Sequence, residues 1–279
     1  MSTATVDPTH TEVLVDPVWI HDHLDDPGVR LVEVDVSPAA YEQGHIPSAV
    51  LWNAYSDLRR PDYSPVASAE LARLLSRSAI DRSTTIVLYG YGAYLGFWLM
   101  KRVGHERVLL MDGPRERWEQ AGYEWTRKVK PPADGSYPRP QGDRTVFASR
   151  EEVSSAIGDP HKLILDVRSR EEFDGERFWP SGATENAGRA GRIPGAVHLP
   201  FDLLLDENRR LRRSSEIKEL CDARGVEADK EVVTYCTIGN RASLVWFALR
   251  YVLGFPDARV YYGSWVEWGK LAGTPVERS

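Results

Sequence analysis

Short apolar runs alternate along this chain with stretches of helical character. Val32-Glu33-Val34-Asp35-Val36, Thr85-Ile86-Val87-Leu88-Tyr89, Leu163-Ile164-Leu165-Asp166-Val167 and Glu231-Val232-Val233-Thr234-Tyr235 are rich in β-branched residues. Each is short enough to be a buried strand. Ala242 to Tyr251 is apolar for long enough to form a helix, and Ser215 to Cys221 repeats with helical spacing behind a Ser-rich start. Ser149 stands ahead of Glu151 and Glu152 as the N-cap of another helix. Strands and helices in alternation predict an α/β fold, a mostly parallel sheet flanked by helices. The pattern lapses between Lys128 and Asp143. Pro131, Pro132, Pro138 and Pro140 fall there with Gly135 and Gly142. Such a segment runs extended over a surface, and residues 128–145 are read as a linker.

The two sides of that linker repeat each other. Gly44-His45-Ile46-Pro47-Ser48-Ala49-Val50 answers Gly191-Arg192-Ile193-Pro194-Gly195-Ala196-Val197. Val32 to Val36 answers Leu163 to Val167, which makes Asp35 the counterpart of Asp166. Thr85 to Tyr89 answers Val232 to Tyr235. Asp112-Gly113 with Trp118 answers Tyr262-Gly263 with Trp268. A duplication of such long period means two similar domains, here 10–127 and 146–279.

The copies differ at one place. Tyr89 is followed by Gly90-Tyr91-Gly92-Ala93-Tyr94, a turn with neither a nucleophile nor an arginine. It is also shortened, since Gly90 to Gly104 spans fewer residues than Cys236 to Gly254. Its glycines and tyrosines predict a tight structural turn. Tyr235 is followed by Cys236-Thr237-Ile238-Gly239-Asn240-Arg241. A lone cysteine therefore sits where a strand turns into a helix N-terminus. Successive N–H groups of residues 237–241 can converge on its sulfur there. The helix dipole and Arg241 add positive potential, which favours a thiolate nucleophile. Only four residues separate Cys236 from Arg241. Cysteine phosphatases use a longer loop that wraps a phosphate. The tighter loop leaves room for one further atom, as in a persulfide. A buried, inert cysteine in a βα turn is the competing reading.

Bulk properties narrow the field. The 279 residues suffice for two ordinary domains. A net charge of −6 and an isoelectric point near 5.7 argue against nucleic acid or an anionic membrane as partner. No apolar run approaches a membrane span. Met1 to His10 is polar and unlike a secretory signal. Two cysteines are too few for a disulfide framework, and Cys221 belongs to helix packing. A reduced, cytoplasmic setting is expected. The seven histidines show no ligand spacing, His21 and His23 falling on a loop or first helical turn, so no metal is expected.

Taken in order, these motifs resemble the tandem-domain rhodanese family, the thiosulfate and 3-mercaptopyruvate sulfurtransferases. The carrying residues are Tyr235 to Arg241, Trp246-Phe247, Tyr262 to Gly269, Leu165 to Ser169 and Gly191 to Ala196. The resemblance runs from about Leu14 to Pro275. It implies two tandem rhodanese-like domains, the first inactive and walling a site that the second supplies. It implies ping-pong transfer of a sulfane sulfur through a Cys236 persulfide, from thiosulfate or 3-mercaptopyruvate to cyanide or a thiol, without a cofactor. Cys236 and Arg241 are the catalytic candidates. Thr237, Ile238, Gly239 and Asn240 are the binding candidates, with Arg189 and Arg192 from a Gly- and Pro-rich insert between Glu172 and Gly191 that also holds Arg177 and Trp179. That insert is otherwise a solvated loop. Asp166 and Arg168 either reach the cleft or, the preferred reading, form an ion pair that fixes a loop. Trp98, Trp118, Trp246, Trp265 and Trp268 are expected as core or interface fillers, with Trp265 the one that could approach the cleft. Thr237 and Ala242 depart from the thiosulfate-type loop, and Arg192 stands where the family usually has histidine. Losing a cation at Thr237 weakens the attraction for dianionic thiosulfate. Ile238 and Arg241 do not match the mercaptopyruvate-type loop either. A sulfur relay to a partner protein and a rhodanese-fold phosphatase are the alternatives.

Overall fold

The computed structural model describes residues 12–130, 135–140 and 142–279. The polar start Met1 to His10, the expected first domain residue His10 and the linker prolines Pro131 and Pro132 lie outside the described residues. The chain forms two compact units. One extends to Asp143 and includes Glu207–Arg210; the other comprises Arg144–Asp206 and Leu211–Ser279. The described linker residues up to Asp143 belong to the first unit, where Gly135 and Tyr137 donate their N–H groups to Ser76 at 2.8 and 2.9 Å, while Arg144 and Thr145 belong to the second.

The first unit runs β1 (Leu14–Val15), α1 (Pro17–Asp22), β2 (Val29–Asp35), α2 (Ala39–Gln43), β3 (Val50–Asn53), α3 (Ser68–Arg77), β4 (Thr85–Tyr89), α4 (Ala93–Arg102), β5 (Val108–Met111) and α5 (Arg117–Gln120). The second runs α6 (Arg150–Ala156), β6 (Lys162–Asp166), α7 (Arg170–Asp174), β7 (Val197–His198), a 3₁₀ turn at Phe201–Leu204, α8 (Ser214–Asp222), β8 (Glu231–Tyr235), α9 (Asn240–Phe247), a π-helical turn at Ala248–Val252, β9 (Ala258–Val260) and α10 (Ser264–Trp268). The sheet orders are β1-β5-β4-β2-β3 and β7-β6-β8-β9. Every strand pairing described is parallel. Where the first unit has β1, the second has a single parallel bridge, Phe147 to Val260.

Local sequence accounts for these elements. Parallel strands are covered on both faces and so are apolar throughout; Val232 to Tyr235 are all buried. Ser149 caps α6 and Glu152 returns the bond, as its position ahead of the acidic pair predicts. The helix expected over Ala242 to Tyr251 begins earlier, at Asn240, and its last turn widens into the π-turn. Trp98, Trp118, Trp246, Trp265 and Trp268 are all buried. His21 and His23 close α1, stacked on Tyr123 and Trp19.

Strand register corrects one equivalence. Val50 pairs with Val32, and its repeat partner Val197 pairs with Leu165. Tyr89 pairs with Glu33, and Tyr235 with Asp166. The counterpart of Asp166 is therefore Glu33, and Asp35 matches Arg168 instead. Aligning the runs by their alternating aspartates slips them by two positions, a shift that leaves strand facing unchanged and so escapes a pattern of period 2.

With the register set, both units show one buried device. In the second, Tyr235 donates to Asp166 at 2.5 Å and accepts the Ile193 N–H at 3.2 Å. Arg168 closes on Asp166 at 2.6 Å and on the Gly191 carbonyl at 2.7 Å. In the first, Tyr89 accepts the Ile46 N–H at 3.2 Å. Arg115 meets Glu33 at 3.1 Å and the Gly44 carbonyl, the repeat equivalent of Gly191. Each guanidinium also lies over an indole, Arg168 at 4.6 Å from Trp265 and Arg115 at 4.4 Å from Trp125. The cation comes from different places. Counting from Gly113 and Gly263, Arg115 falls where the second unit has Trp265.

Asp166 and Arg168 are both fully buried. Removing one partner of such a pair leaves an uncompensated charge. Arg168→Ala is expected to destabilise the second unit by about 3–5 kcal/mol. Denaturant unfolding checks this as a lower midpoint at unchanged slope; a loss of under about 1 kcal/mol would show that Asp166 does not depend on the guanidinium.

Candidate active site

Cys236 directly follows β8, at the carboxyl end of the sheet, where open α/β sheets place their ligands. Its backbone is held on both sides. The Cys236 N–H donates to the Ser264 hydroxyl at 3.3 Å, and that hydroxyl donates to the Tyr261 carbonyl at 2.9 Å. The Trp265 and Val266 N–H groups donate to the Cys236 and Thr237 carbonyls, each at 2.9 Å. The first turn of α10 thus fastens the loop. Ser264 adopts φ +50, a left-handed conformation that non-glycine residues hold at a cost.

Gly239 makes the turn. Its φ of +90 favours glycine, and a Cβ there would come within 3.3 Å of the Tyr262 ring and carbonyl. The turn aims the Gly239 N–H at the Cys236 sulfur, 3.0 Å away. Behind it, Asn240 opens α9, whose first amides have no intrahelical acceptor. Cys236 and Thr237 are buried, while Ile238, Asn240 and Arg241 are partly exposed and form the loop's outer edge.

The Arg241 guanidinium does not close over the sulfur by hydrogen bonding. It forms a fork with Glu172, Nη1 to Oε2 at 2.7 Å and Nη2 to Oε1 at 2.9 Å. Nη2 also donates to the Thr237 hydroxyl at 2.6 Å, and that hydroxyl donates to Glu172 Oε1 at 2.6 Å. Glu172 is fully buried. It also accepts the Ser169 N–H at 3.1 Å, as the returning partner in the capping box of α7. Burial opposes its ionisation, but the hydrogen bond and charge of Arg241, then Thr237 and Arg168, prevail and hold the carboxyl at about 2. Burial also works against the Arg241 cation, yet Glu172 and the nearby sulfur of Cys236 leave it held above its ordinary value.

The other candidates have different partners. Arg189 donates to the carbonyls of Gly269, Thr274, Trp268 and Leu271 and to the Thr274 hydroxyl. Arg192 pairs with Glu277, bonds the Phe173 carbonyl and the Ser279 hydroxyl, and lies 4.4 Å over the Phe173 ring. Both therefore fasten the C-terminal segment, and neither hydrogen-bonds to the loop. The insert is largely exposed from Ser181 to Ala187, the solvated alternative for that stretch. Asp166 and Arg168 form the ion pair described above. Trp265 packs in the core with Tyr235 and donates to the Arg189 carbonyl at 3.0 Å. Cys221 is buried in α8, and burial pushes its thiol up to about 11, which suits packing. Among the described residues no cluster of His, Cys, Asp or Glu could hold a metal.

Two residues were missed by sequence reasoning. Ser264 carried no signal. Glu172 did: Ser169-Arg170-Glu171-Glu172 is a capping-box spacing. That spacing explains its bond to Ser169 but not its pairing with Arg241. In the first unit, Gly90 replaces the cysteine at φ +91. A Cβ there would lie 2.9 Å from the Val34 carbonyl oxygen, so no side chain fits without moving the strand.

The Rhodanese-like domain profile matches residues 16–121 and 149–271. The chain belongs to the rhodanese family. Among curated relatives, this rhodanese is 37% identical to a sulfur carrier protein, TtuD of Thermus thermophilus, over 96% of this chain and 98% of that one. It is likewise 37% identical to a provisionally named thiosulfate sulfurtransferase of Haloferax volcanii, over 96% of each. Among solved structures it resembles EanB carrying a cysteine persulfide with ergothioneine, at 25% identity and a TM-score of 0.87, covering 95% of this chain and 70% of that one. It is a rhodanese-fold sulfurtransferase with two tandem domains.

Glu172 gives a pH prediction. Its carboxyl lies at about 2 in the folded protein against an ordinary 4.5. A carboxyl depressed by folding contributes stability above its unfolded value and loses it as pH falls through the folded one. The contribution is on the order of 3 kcal/mol. The stability advantage of wild type over Glu172→Gln should therefore be full at neutral pH and shrink from pH 4.5 towards 2. Denaturant titrations of both proteins across that range check it; a constant difference would contradict it.

Proposed function

We propose that this sulfurtransferase carries sulfur on Cys236 as a persulfide and works by ping-pong. The observation that supports this most directly is the Gly239 N–H aimed at the Cys236 sulfur from a helix N-terminus. The Cys236 thiolate attacks the outer sulfur of a donor such as thiosulfate. A new S–S bond forms, the donor's S–S bond breaks and sulfite leaves with the bonding pair. With 3-mercaptopyruvate the transferred sulfur leaves a carbon instead. The persulfide, Cys–S–S⁻, keeps its terminal charge near the loop amides and the positive end of α9. An acceptor, cyanide or a thiol, then takes the terminal sulfur and the thiolate returns. Sulfur itself is the cargo, so the cycle uses no cofactor. Two free, buried cysteines suit a reducing cytoplasmic setting.

Arg241 acts in this scheme through its charge and through the shape it gives the loop. Its two terminal nitrogens are held by Glu172 and Thr237, which also tells against a phosphatase, whose arginine must fork onto the phosphate. A second reading keeps the same persulfide but passes it to a partner protein. Its support is the full-length similarity to a protein named as a sulfur carrier.

Cys236→Ser is expected to abolish sulfur loading and thiocyanate formation, while Cys221→Ser retains both. Intact mass after thiosulfate or 3-mercaptopyruvate should show one added sulfur atom in wild type and Cys221→Ser alone. Full activity in Cys236→Ser would overturn the mechanism. Loading with slow turnover to cyanide would favour the relay.

A further inference from the structure

Each unit carries a short strap, residues 124–127 in the first and 275–278 in the second. The Trp118 indole donates to the Glu124 carbonyl at 3.0 Å, and the Trp268 indole to the Pro275 carbonyl at 2.7 Å. Two residues on, Thr126 exchanges both backbone hydrogen bonds with His45, and Glu277 does so with Arg192, all at 2.9 Å. Arg127 then donates to the Gln43 carbonyl at 2.9 Å, and Arg278 to that of Ala190 at 2.8 Å. Gln43 and Ala190 precede the equivalent glycines Gly44 and Gly191. The strap is therefore part of the repeat.

Its side chains differ between the copies. In the first unit the Thr126 hydroxyl accepts the Lys128 N–H, a bond within its own segment. In the second, the Glu277 carboxylate accepts from Arg192 Nε at 3.1 Å and from the Gly195 N–H at 2.9 Å. The Ser279 hydroxyl accepts from Arg192 at 2.7 Å and donates to Asp174 at 2.8 Å. Arg192 also bonds the Phe173 carbonyl at 3.3 Å and covers its ring. Phe173 and Asp174 end α7, next to Glu172, whose carboxylate holds Thr237 and Arg241. Gly191, next to Arg192, gives its carbonyl to Arg168, the partner of Asp166, which holds Tyr235 directly before Cys236. Both supports of the Cys236 loop thus meet the strap. The unit with Gly90 in place of the cysteine keeps the backbone bonds and has Thr126 where this lock has Glu277.

We propose that Glu277 and Ser279 are positioning residues for sulfur transfer: through Arg192 they lock α7 to the Gly191 turn and so hold the Cys236 loop in the shape that receives sulfur. The inference rests on the sulfur-transfer reading above. Neither residue hydrogen-bonds to the loop, so the lock acts on the rate of the step and not on the hold on the donor. A small displacement of a reacting group is enough to slow a reaction by tenfold or more.

The test follows single-turnover loading of Cys236 against donor concentration, with thiosulfate or 3-mercaptopyruvate, whichever loads wild type faster. The proteins are wild type, Glu277→Ala, Glu277→Gln and Ser279→Ala, each with its unfolding midpoint. In Glu277→Ala the maximal loading rate per folded molecule is expected to fall about tenfold, at an unchanged half-saturating donor concentration. Glu277→Gln keeps an acceptor oxygen at the same reach and should recover most of that rate. Ser279→Ala, which removes a single hydroxyl at an exposed position, should fall about threefold in the same way. If Glu277→Ala does not fold, Ser279→Ala decides the matter alone. An unchanged maximal rate in the folded variants assigns the strap to stability only and overturns the proposal. So does a loss confined to the half-saturating concentration. Neither outcome touches the persulfide mechanism. Failure of both donors to add sulfur to wild-type Cys236 overturns that mechanism and this inference together.

Discussion

A carboxylate moved out of water must be met by a cation with matched geometry, and the arrangement of both units follows from that demand. Glu33 and Asp166 are fully buried near the ends of central strands. Each needs a guanidinium, and each guanidinium also needs the carbonyl of a glycine in the next loop, Gly44 or Gly191. The tyrosines that end β4 and β8 join this network and hold Ile46 and Ile193. Strand, loop and the following βα turn are therefore fixed together. Cys236 is the next residue after one of those tyrosines. Its position depends on a scaffold that the first unit shares, with Gly90 where the second has the cysteine.

Much of this was legible in the sequence. β4 and β8 occupy the runs from which they were expected, because parallel strands buried on both faces leave a continuous apolar signature. The duplication and the place of the cysteine were legible for the same reason. The partners of charged side chains were not. Arg241 and Glu172 stand 69 positions apart, and Arg189 meets Thr274 across 85. Local spacing carries no information on pairs set by the topology of the sheet. Arg189, Arg192 and Arg241 all looked available for an anionic donor because a sequence displays charges without their counter-ions. The mistaken match of Asp35 with Asp166 has another origin. A slip of two residues keeps every side chain on its face, and only the hydrogen-bonding partners of Val50 and Tyr89 expose it.

Glu172 illustrates how one residue can answer two needs. As a helix cap it satisfies the Ser169 N–H at the start of α7. As a counter-ion it orders Arg241, the side chain that ends the Cys236 loop. The first is a local requirement of any helix start. The second makes the local charge of the site a property of α7 rather than of the loop itself. A change in α7 can therefore alter the charge beside the loop without touching the residues next to the Cys236 sulfur.

The exchange of Arg115 for Trp265 constrains how such a duplicated chain can be rearranged. In one unit strand β2 supplies the anion and the loop between β5 and α5 supplies the cation; in the other, strand β6 and the residues just beyond it supply both. A crossover that moved the Gly263–Trp268 segment into the first unit would strand Glu33 without a guanidinium. The reverse crossover would crowd two guanidiniums onto Asp166. The halves look interchangeable in outline, but their buried charges are keyed differently. The repeat can diverge freely at its surface, while segments can pass between copies only as sets that keep the ion pair whole.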